Sequence, residues 1–501
     1  MQEKMQQLKN MVREIMDLQY ANAVLSWDQA TFMPPGGAEA RGRQSALLAR
    51  LAQERVTDPA IGHLLDDLDA YSQSLPYDSL DAAFLRVTRR EYERQTRIPA
   101  AFVAEVVEHM SASYQVWAEA RPQNDFQKVR PYLEKTLDYS RQLANFFPGY
   151  EHIADPLINF ADYGMKATKV RQVFTQLRQE VMPILQAIRA QPPVDDSCLF
   201  HRYPKDLQLK FAESIIRDFG YDFQRGRMDL THHPFTTEFS IGDVRITTRV
   251  NENDLGDCLF SVLHEAGHGM HALGADPQQE ALFLSTGVSS GVSESQSRTW
   301  ENLVGRSRAM WEYYYPKLQA TFPEQLGSVD LDTFHRAINK VQPSLIRTDA
   351  DEVTYNLHPL IRFELEVALL EGSLEIRDLP EAWNSRYETY LGITPPDNRN
   401  GVMQDVHWYG GMIGGSFQGY TLGNILSVMF YEKALQDHPE IPAEIAQGKF
   451  DTLHAWLKEK IYLHGDYYTA PELIQKVAGS ELDIQPLIRY YRQKFGQIYA
   501  L

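Results

Sequence analysis

The chain has 501 residues, 43% of them hydrophobic, so it can bury a large core and is not globally disordered. Its 49 Lys and Arg against 67 Asp and Glu give a formal charge of −18, which argues against nucleic acid or an anionic membrane as partner. Cys198 and Cys258 suggest no disulfide framework, the charged start lacks a signal peptide's apolar core, and no window offers about 18 uninterrupted apolar residues, so a soluble cytoplasmic protein is expected.

Residues 1–220 read as helix after helix. Leu8, Met11, Ile15 and Leu18 recur at helical spacing. The run Met33-Pro34-Pro35-Gly36-Gly37 breaks the chain before a second helix over 38–51. Further helical patterns cover 79–97, 99–120, 125–146, 168–190 and 205–219, punctuated by Pro148, Pro192, Pro193 and Pro204. Between 229 and 250 the texture changes. Phe235 to Ser240 and Val244 to Val250 alternate and are rich in β-branched residues, joined through Ile241-Gly242-Asp243, which predicts a hairpin. Its edge is a track on which an extended peptide can lie. Helices are expected again near 290–320, 331–341, 351–371 and 420–437, and on to the C-terminus. The fold class is mostly α, with one small sheet.

Between the hairpin and those helices lies Leu263 to Ala275, LHEAGHGMHALGA, and His264, Glu265 and His268 in it spell H-E-x-x-H. On a helix, residues i and i+4 lie one above the other, so both imidazoles project from one face. That face offers two nitrogens to a zinc ion at roughly 2.0–2.1 Å. Glu265 points to one side of them, where it can act as general base on a water that the metal acidifies to a pKa of about 7. Upstream, Leu255, Leu259, Phe260, Val262 and Leu263 form an apolar stripe behind an N-cap at Asn253 or Asp254. The helix is therefore buried, and buried histidines need partners.

A third ligand is required. Metzincin spacing would put a histidine at 274, but that residue is Gly274. His271 shares the face of His264, yet three ligands along one helix are too nearly collinear for a tetrahedron, so it reads as a core or supporting histidine. Among Glu280, Glu294 and Glu301, Glu280 follows Pro277 too early to return over the metal. Glu294, near the start of the next helix in Gly291 to Arg298, is the best choice.

At this point the sequence resembles the Taq-type metallocarboxypeptidases, through several blocks over roughly 230–425. The family's H-P-F is His233-Pro234-Phe235, and its D-x-R-x-T is Asp243 to Thr247. H-E-x-x-H follows, and H-E-S is met by Ser293-Glu294-Ser295. I-R-x-x-A-D is Ile346 to Asp351, and G-x-x-Q-D-x-H-W is Gly401 to Trp408. Blocks in this order are far more specific than any one alone. The resemblance implies one helical unit over 1–501 with a deep central groove, in which 1–220 walls the groove and 221–501 carries the metal site and substrate-binding part. It further implies a cytoplasmic homodimer using Zn2+, or Co2+, one ion per chain, to remove C-terminal residues from peptides with broad specificity. Two departures stand out: Ser293 replaces the histidine before the ligand glutamate, and the segment before Tyr420 lacks the usual aromatic-proline run.

Site chemistry then assigns roles. Glu265 accepts the water's proton and returns it to the leaving amine. Tyr420, in a glycine-rich stretch, is the choice for the second electrophile at the oxyanion. His233 and His407 can hydrogen-bond the peptide backbone. Arg347 can pair with the substrate's terminal carboxylate, steadied by Asp349, Asp351 and Glu352, with Arg245 as runner-up. Two other classes stay open: an endo- or dipeptidyl-peptidase on the same chemistry, and an inactive peptide-binding module.

Overall fold

The N-terminal periodicities are realised as helices in the computed structural model, which describes residues 1–285 and 287–501. The first, Gln2–Thr31, buries Met5, Leu8, Val12, Ile15 and Met16. Pro34 ends that run, and a single turn, Pro35–Gly37, leads into Ala38–Val56. The patterns beyond become Leu80–Arg97, Ala100–Ala120, Phe126–Asn145, Ala167–Arg189 and Lys205–Phe219. Ser79 and Asp125 cap the first and third of these by accepting backbone N–H bonds. Three helices had no expectation: Pro59–Asp67, Asp69–Ser74 and Asp155–Ala161. Each has too few turns for a periodic signal.

The hairpin forms, and it has a third strand. β1 is Met228–Leu230, β2 is Thr236–Ser240 and β3 is Asp243–Thr248. Their order is β1-β3-β2, with β1 parallel and β2 antiparallel to β3. Met-Asp-Leu is too short to show alternation, which is why β1 was not anticipated. β2 is left as an edge strand. Val244, Ile246, Thr247 and Thr248 of β3 are buried beneath the helix Leu255–Leu273.

The long helix expected at 290–320 is interrupted. Ser290–Arg298 widens into a π turn at Thr299–Val304, and a new helix, Arg308–Thr321, starts at the Ser307 cap. The 351–371 pattern is α-helical only from Leu357 to Glu371, after a single 3-10 turn at Thr354–Asn356. Leu379–Leu391 was not anticipated, and Gln418–Asp437 matches its expectation closely. One large apolar cluster runs from Phe102 to Tyr499. A smaller one joins Met5, Leu8, Ile15 and Phe84 of the first helices to Leu282 and Leu284. No described helix is long and apolar enough to cross a membrane.

Candidate metal centre and substrate groove

Asp254 starts the Leu255–Leu273 helix by accepting from Gly256 N at 2.8 Å and Asp257 N at 3.3 Å. Leu255, Leu259, Val262, Leu263 and Ala266 are buried in the core, and the His264 and His268 rings stand 5.0 Å apart on another face. Two glycines let the helix that carries Glu294 approach. A Cβ at Gly267 would sit 2.6 Å from Ser297 Cα, and one at Gly423, on the Gln418–Asp437 helix, 2.5 Å from Glu294 Cγ. The Ser290–Arg298 helix is thus clamped between two smooth patches, with Glu294 facing the histidines. Gly423→Ala is expected to displace Glu294, costing about 1–3 kcal/mol in denaturant unfolding and lowering metal content.

Glu294 Oε2 lies 3.7 Å from His264 Nε2 and 3.5 Å from His268 Nε2. The three donor atoms fall within 4.8 Å of one another and can hold a metal ion. The far sides of both rings are tied. His264 Nδ1 donates to Glu301 Oε2 at 2.9 Å, and because a carboxylate only accepts, Nε2 keeps its lone pair. His268 Nδ1 is 3.0 Å from Ser293 Oγ, so the serine in place of the family histidine braces the His268 ring. The donor set and its bracing suit a divalent metal.

Arg298 joins the carboxylates. Its Nε donates to Glu294 at 2.7 Å and its Nη1 to Glu301 at 2.9 Å. Burial alone would raise both carboxyls, but Arg298 with His264 and His268 holds Glu294 well below the usual range, and Arg298 with His264 and Arg306 holds Glu301 at about 2. Glu301, one of the candidate ligands, instead stands behind His264, delivered there by the π turn. Sequence reasoning missed Arg298, although its spacing from Glu294 and Glu301, four residues on and three back, was a helical-face signal. Glu280 accepts from Ile241 N at 2.9 Å, outside the donor set. His271 packs against Tyr462, 5.2 Å between rings, and burial pushes it down to about 4, as suits a core histidine.

The donors open onto a groove of about 1490 Å3, lined also by His233, Thr236, Glu265, Arg347, Asp405, His407 and Tyr420. Glu265 is 7% exposed, and its Oε2 accepts from Thr236 Oγ1 at 2.6 Å. Arg347 is also 7% exposed, on the single turn Arg347–Asp349. The acidic residues after it do not steady it: Asp349 accepts from Thr348, Asp351 caps Val353 and Thr354, and Glu352 pairs with Lys494. That role goes to Asp405, contacted by Arg347 Nε and Nη2 at 3.2–3.4 Å, and to Tyr355, whose hydroxyl takes Nη1 at 3.0 Å. The turn aims the side chain across the groove toward the 401–408 block, away from its own neighbours in sequence. Asp405 also accepts from the fully buried Arg362, and Gln404 Oε1 takes Arg347 N and Arg362 Nη2. Burial would raise the Asp405 carboxyl, but the two guanidiniums hold it far below its usual value.

His407 Nε2 lies 3.1 Å from the Tyr420 hydroxyl. Burial pushes His407 down to about 4 and Tyr420 up to about 12, so at neutral pH the imidazole is uncharged and the phenol keeps its proton. The Arg347 guanidinium sits 4.8 Å from the Tyr420 ring. Arg245 is not among the lining residues. It pairs with Asp243 on its own strand and lies over Trp27 and Phe239. The structure thus gathers His233, His264, Glu265, His268, Glu294, Arg347, His407 and Tyr420 around one groove and leaves Arg245 outside.

The whole chain matches known proteins. The model of the carboxypeptidase Taq (M32) metallopeptidase family covers residues 7–495. Thermostable carboxypeptidase 1 of Thermus thermophilus is 38% identical over 99% of both chains. The crystal structure of the M32 carboxypeptidase from Deinococcus radiodurans R1 superposes over the full length of both chains with a TM-score of 0.96 and 48% identity. Metallocarboxypeptidase 1 of Trypanosoma cruzi gives 0.93 at 28% identity, again over the full length of both chains. By sequence and by fold, the chain belongs to the carboxypeptidase Taq (M32) family and is a metallocarboxypeptidase.

Proposed function

We propose that this chain is a zinc carboxypeptidase of broad specificity in which His264, His268 and Glu294 hold the metal. The observation that carries the reading is the convergence of three donor atoms within 4.8 Å in a groove that also holds Glu265 and a buried arginine. Zinc, when bound there, supplies a Lewis acid that acidifies water and polarises the scissile carbonyl. Glu265 takes the proton of the attacking water and returns it to the leaving amine. The Tyr420 hydroxyl, protonated at neutral pH, donates to the carbonyl oxygen as negative charge develops. Arg347 pairs with the terminal carboxylate. His233 and His407 face the peptide, His407 through its contact with Tyr420.

One unit over 1–501 is the reading for the domain organisation, supported by Tyr20 of the first helix, which reaches Glu238 and Ser285 at 3.3 Å. The family resemblance supports a cytoplasmic homodimer, for which light scattering is the check. Two carboxylates pairing with two buried guanidiniums is the arrangement a free C-terminus completes, and it distinguishes this activity from an endopeptidase. The test is cleavage of a matched pair of peptides, free acid and C-terminal amide, by zinc-loaded enzyme with products read by mass. Release of single C-terminal residues from the acid alone is expected, and equal cleavage of the amide overturns the assignment.

Tyr420→Phe removes one hydroxyl at a position packed against Arg347 and His407. It is expected to lower kcat by roughly 10²–10³ at unchanged metal content. Unchanged kcat would move the role to His407, the other group in that hydrogen bond.

A further inference from the structure

Glu265 has a carboxylate with few restraints. Among the described residues its side chain accepts a hydrogen bond from one group only, the Thr236 hydroxyl, 2.6 Å from Oε2. The same hydroxyl lies 3.1 Å from the Glu265 carbonyl. A hydroxyl has one proton to give, and the shorter contact, to the side-chain oxygen, takes it. Oε2 is then held and Oε1 is left with its lone pairs.

The donor is held more firmly than the acceptor. Threonine is branched at Cβ and stiff about χ1, whereas a glutamate side chain turns about several bonds. Thr236 opens the edge strand β2, paired with Ile246 of β3. The residue before it is tied at both ends of its peptide unit to one partner: Phe235 N donates to Thr247 Oγ1 at 2.9 Å, Thr247 Oγ1 donates to Phe235 O at 3.0 Å, and Thr247 N donates to Phe235 O at 2.9 Å. His233-Pro234-Phe235 and Asp243 to Thr247, two of the sequence blocks noted above, thus meet in a clasp beside Thr236. The clasp fixes the strand, the strand fixes the hydroxyl, and the hydroxyl fixes the carboxylate.

We propose that Thr236 is a positioning residue for the general base, its hydroxyl anchoring Glu265 Oε2 so that Oε1 faces the reacting water. This rests on Glu265 being the base, which Glu265→Gln tests separately. Thr236→Val keeps the shape and the branching and removes the hydroxyl; Thr236→Ser keeps the hydroxyl. With zinc-loaded enzyme and one free-acid peptide, the valine variant is expected to lose roughly 10–100-fold in kcat, the scale of a misplaced catalytic group, with KM, metal content and melting temperature near the parent's. The serine variant should recover most of that loss. In a Glu265→Gln background the valine change should cost little more, because there is no base left to position. Equal losses in the valine and serine variants, a valine variant with parental kcat, or a loss that follows metal content overturns the proposal. Should the valine variant not fold, Thr236→Ala is read by the same criteria. If Glu265→Gln stays active, the fault lies with the assignment of the base and not with Thr236.

Discussion

Glu265→Gln should keep the metal and lose activity by roughly 10²–10⁴, the usual contribution of a positioned general base, whereas Glu294→Ala should lose metal and activity together. The two glutamates are separated by geometry. Glu294 Oε2 sits 3.5–3.7 Å from both histidine Nε2 atoms, while Glu265 is engaged by Thr236 to the side. Glu294→Ala has a second effect. It leaves Arg298 buried with Glu301 as its remaining carboxylate partner, and breaking a buried ion pair in this way costs about 3–5 kcal/mol. Glu294→Gln, which keeps an oxygen for Arg298, should melt closer to the parent and still bind metal poorly. Metal stoichiometry, kcat and melting temperature on the same preparations decide the matter. A metal-free Glu265→Gln enzyme would show that ligand and base have been wrongly separated.

Arg347→Ala should raise KM for free-acid peptides by roughly 30- to 5000-fold, the equivalent of about 2–5 kcal/mol for truncating one side of a buried charge pair. The magnitude depends on what is left behind. Asp405 is shared by Arg347 and Arg362, so without Arg347 it remains paired one to one with an arginine that is fully buried. Nothing cationic at that end of the cluster would then meet a carboxylate. An amidated peptide should be a poor substrate for the parent and lose little more on mutation. Tyr355→Phe is the sharper control, since it removes the hydroxyl that takes Arg347 Nη1 without removing charge. If Arg347→Ala leaves KM for the free acid unchanged, recognition of the terminus belongs to another residue.

The candidate metal centre was legible because its information is local. His264 and His268 share a helix face by spacing alone, and Glu294 follows on the next helix, close enough in sequence for few alternatives to compete. The hairpin was legible for the same reason, from alternation and a turn. What sequence could not display was action across the groove. Arg347 is steadied by Asp405, 58 residues away, and not by the acidic residues beside it. Arg245 looks like a groove cation in sequence, yet the alternation of β3 turns it to Trp27, 218 residues upstream. Glu301 was weighed as a ligand and stands behind His264 instead, because a π turn, which has no hydrophobic signature, rotates it there. The third strand and the short helices escaped for want of length.

The cluster of Arg347, Arg362 and Asp405 carries two positive charges and one negative, a net of +1 with His407 uncharged, inside a chain whose formal charge is −18. The two fields differ in range. At about 0.1 M ionic strength exposed charges are screened beyond about 10 Å, while a buried cluster hardly notices the salt. An anionic peptide is therefore repelled on approach and attracted on arrival, and only the repulsion is sensitive to salt. Catalytic efficiency toward acidic peptides should rise as ionic strength is raised from about 0.01 to 0.15 M, whereas basic peptides, drawn in by the same far field, should slow. Salt then acts as a selector of substrates, favouring acidic sequences in concentrated solution and basic ones in dilute, with no change in the groove itself.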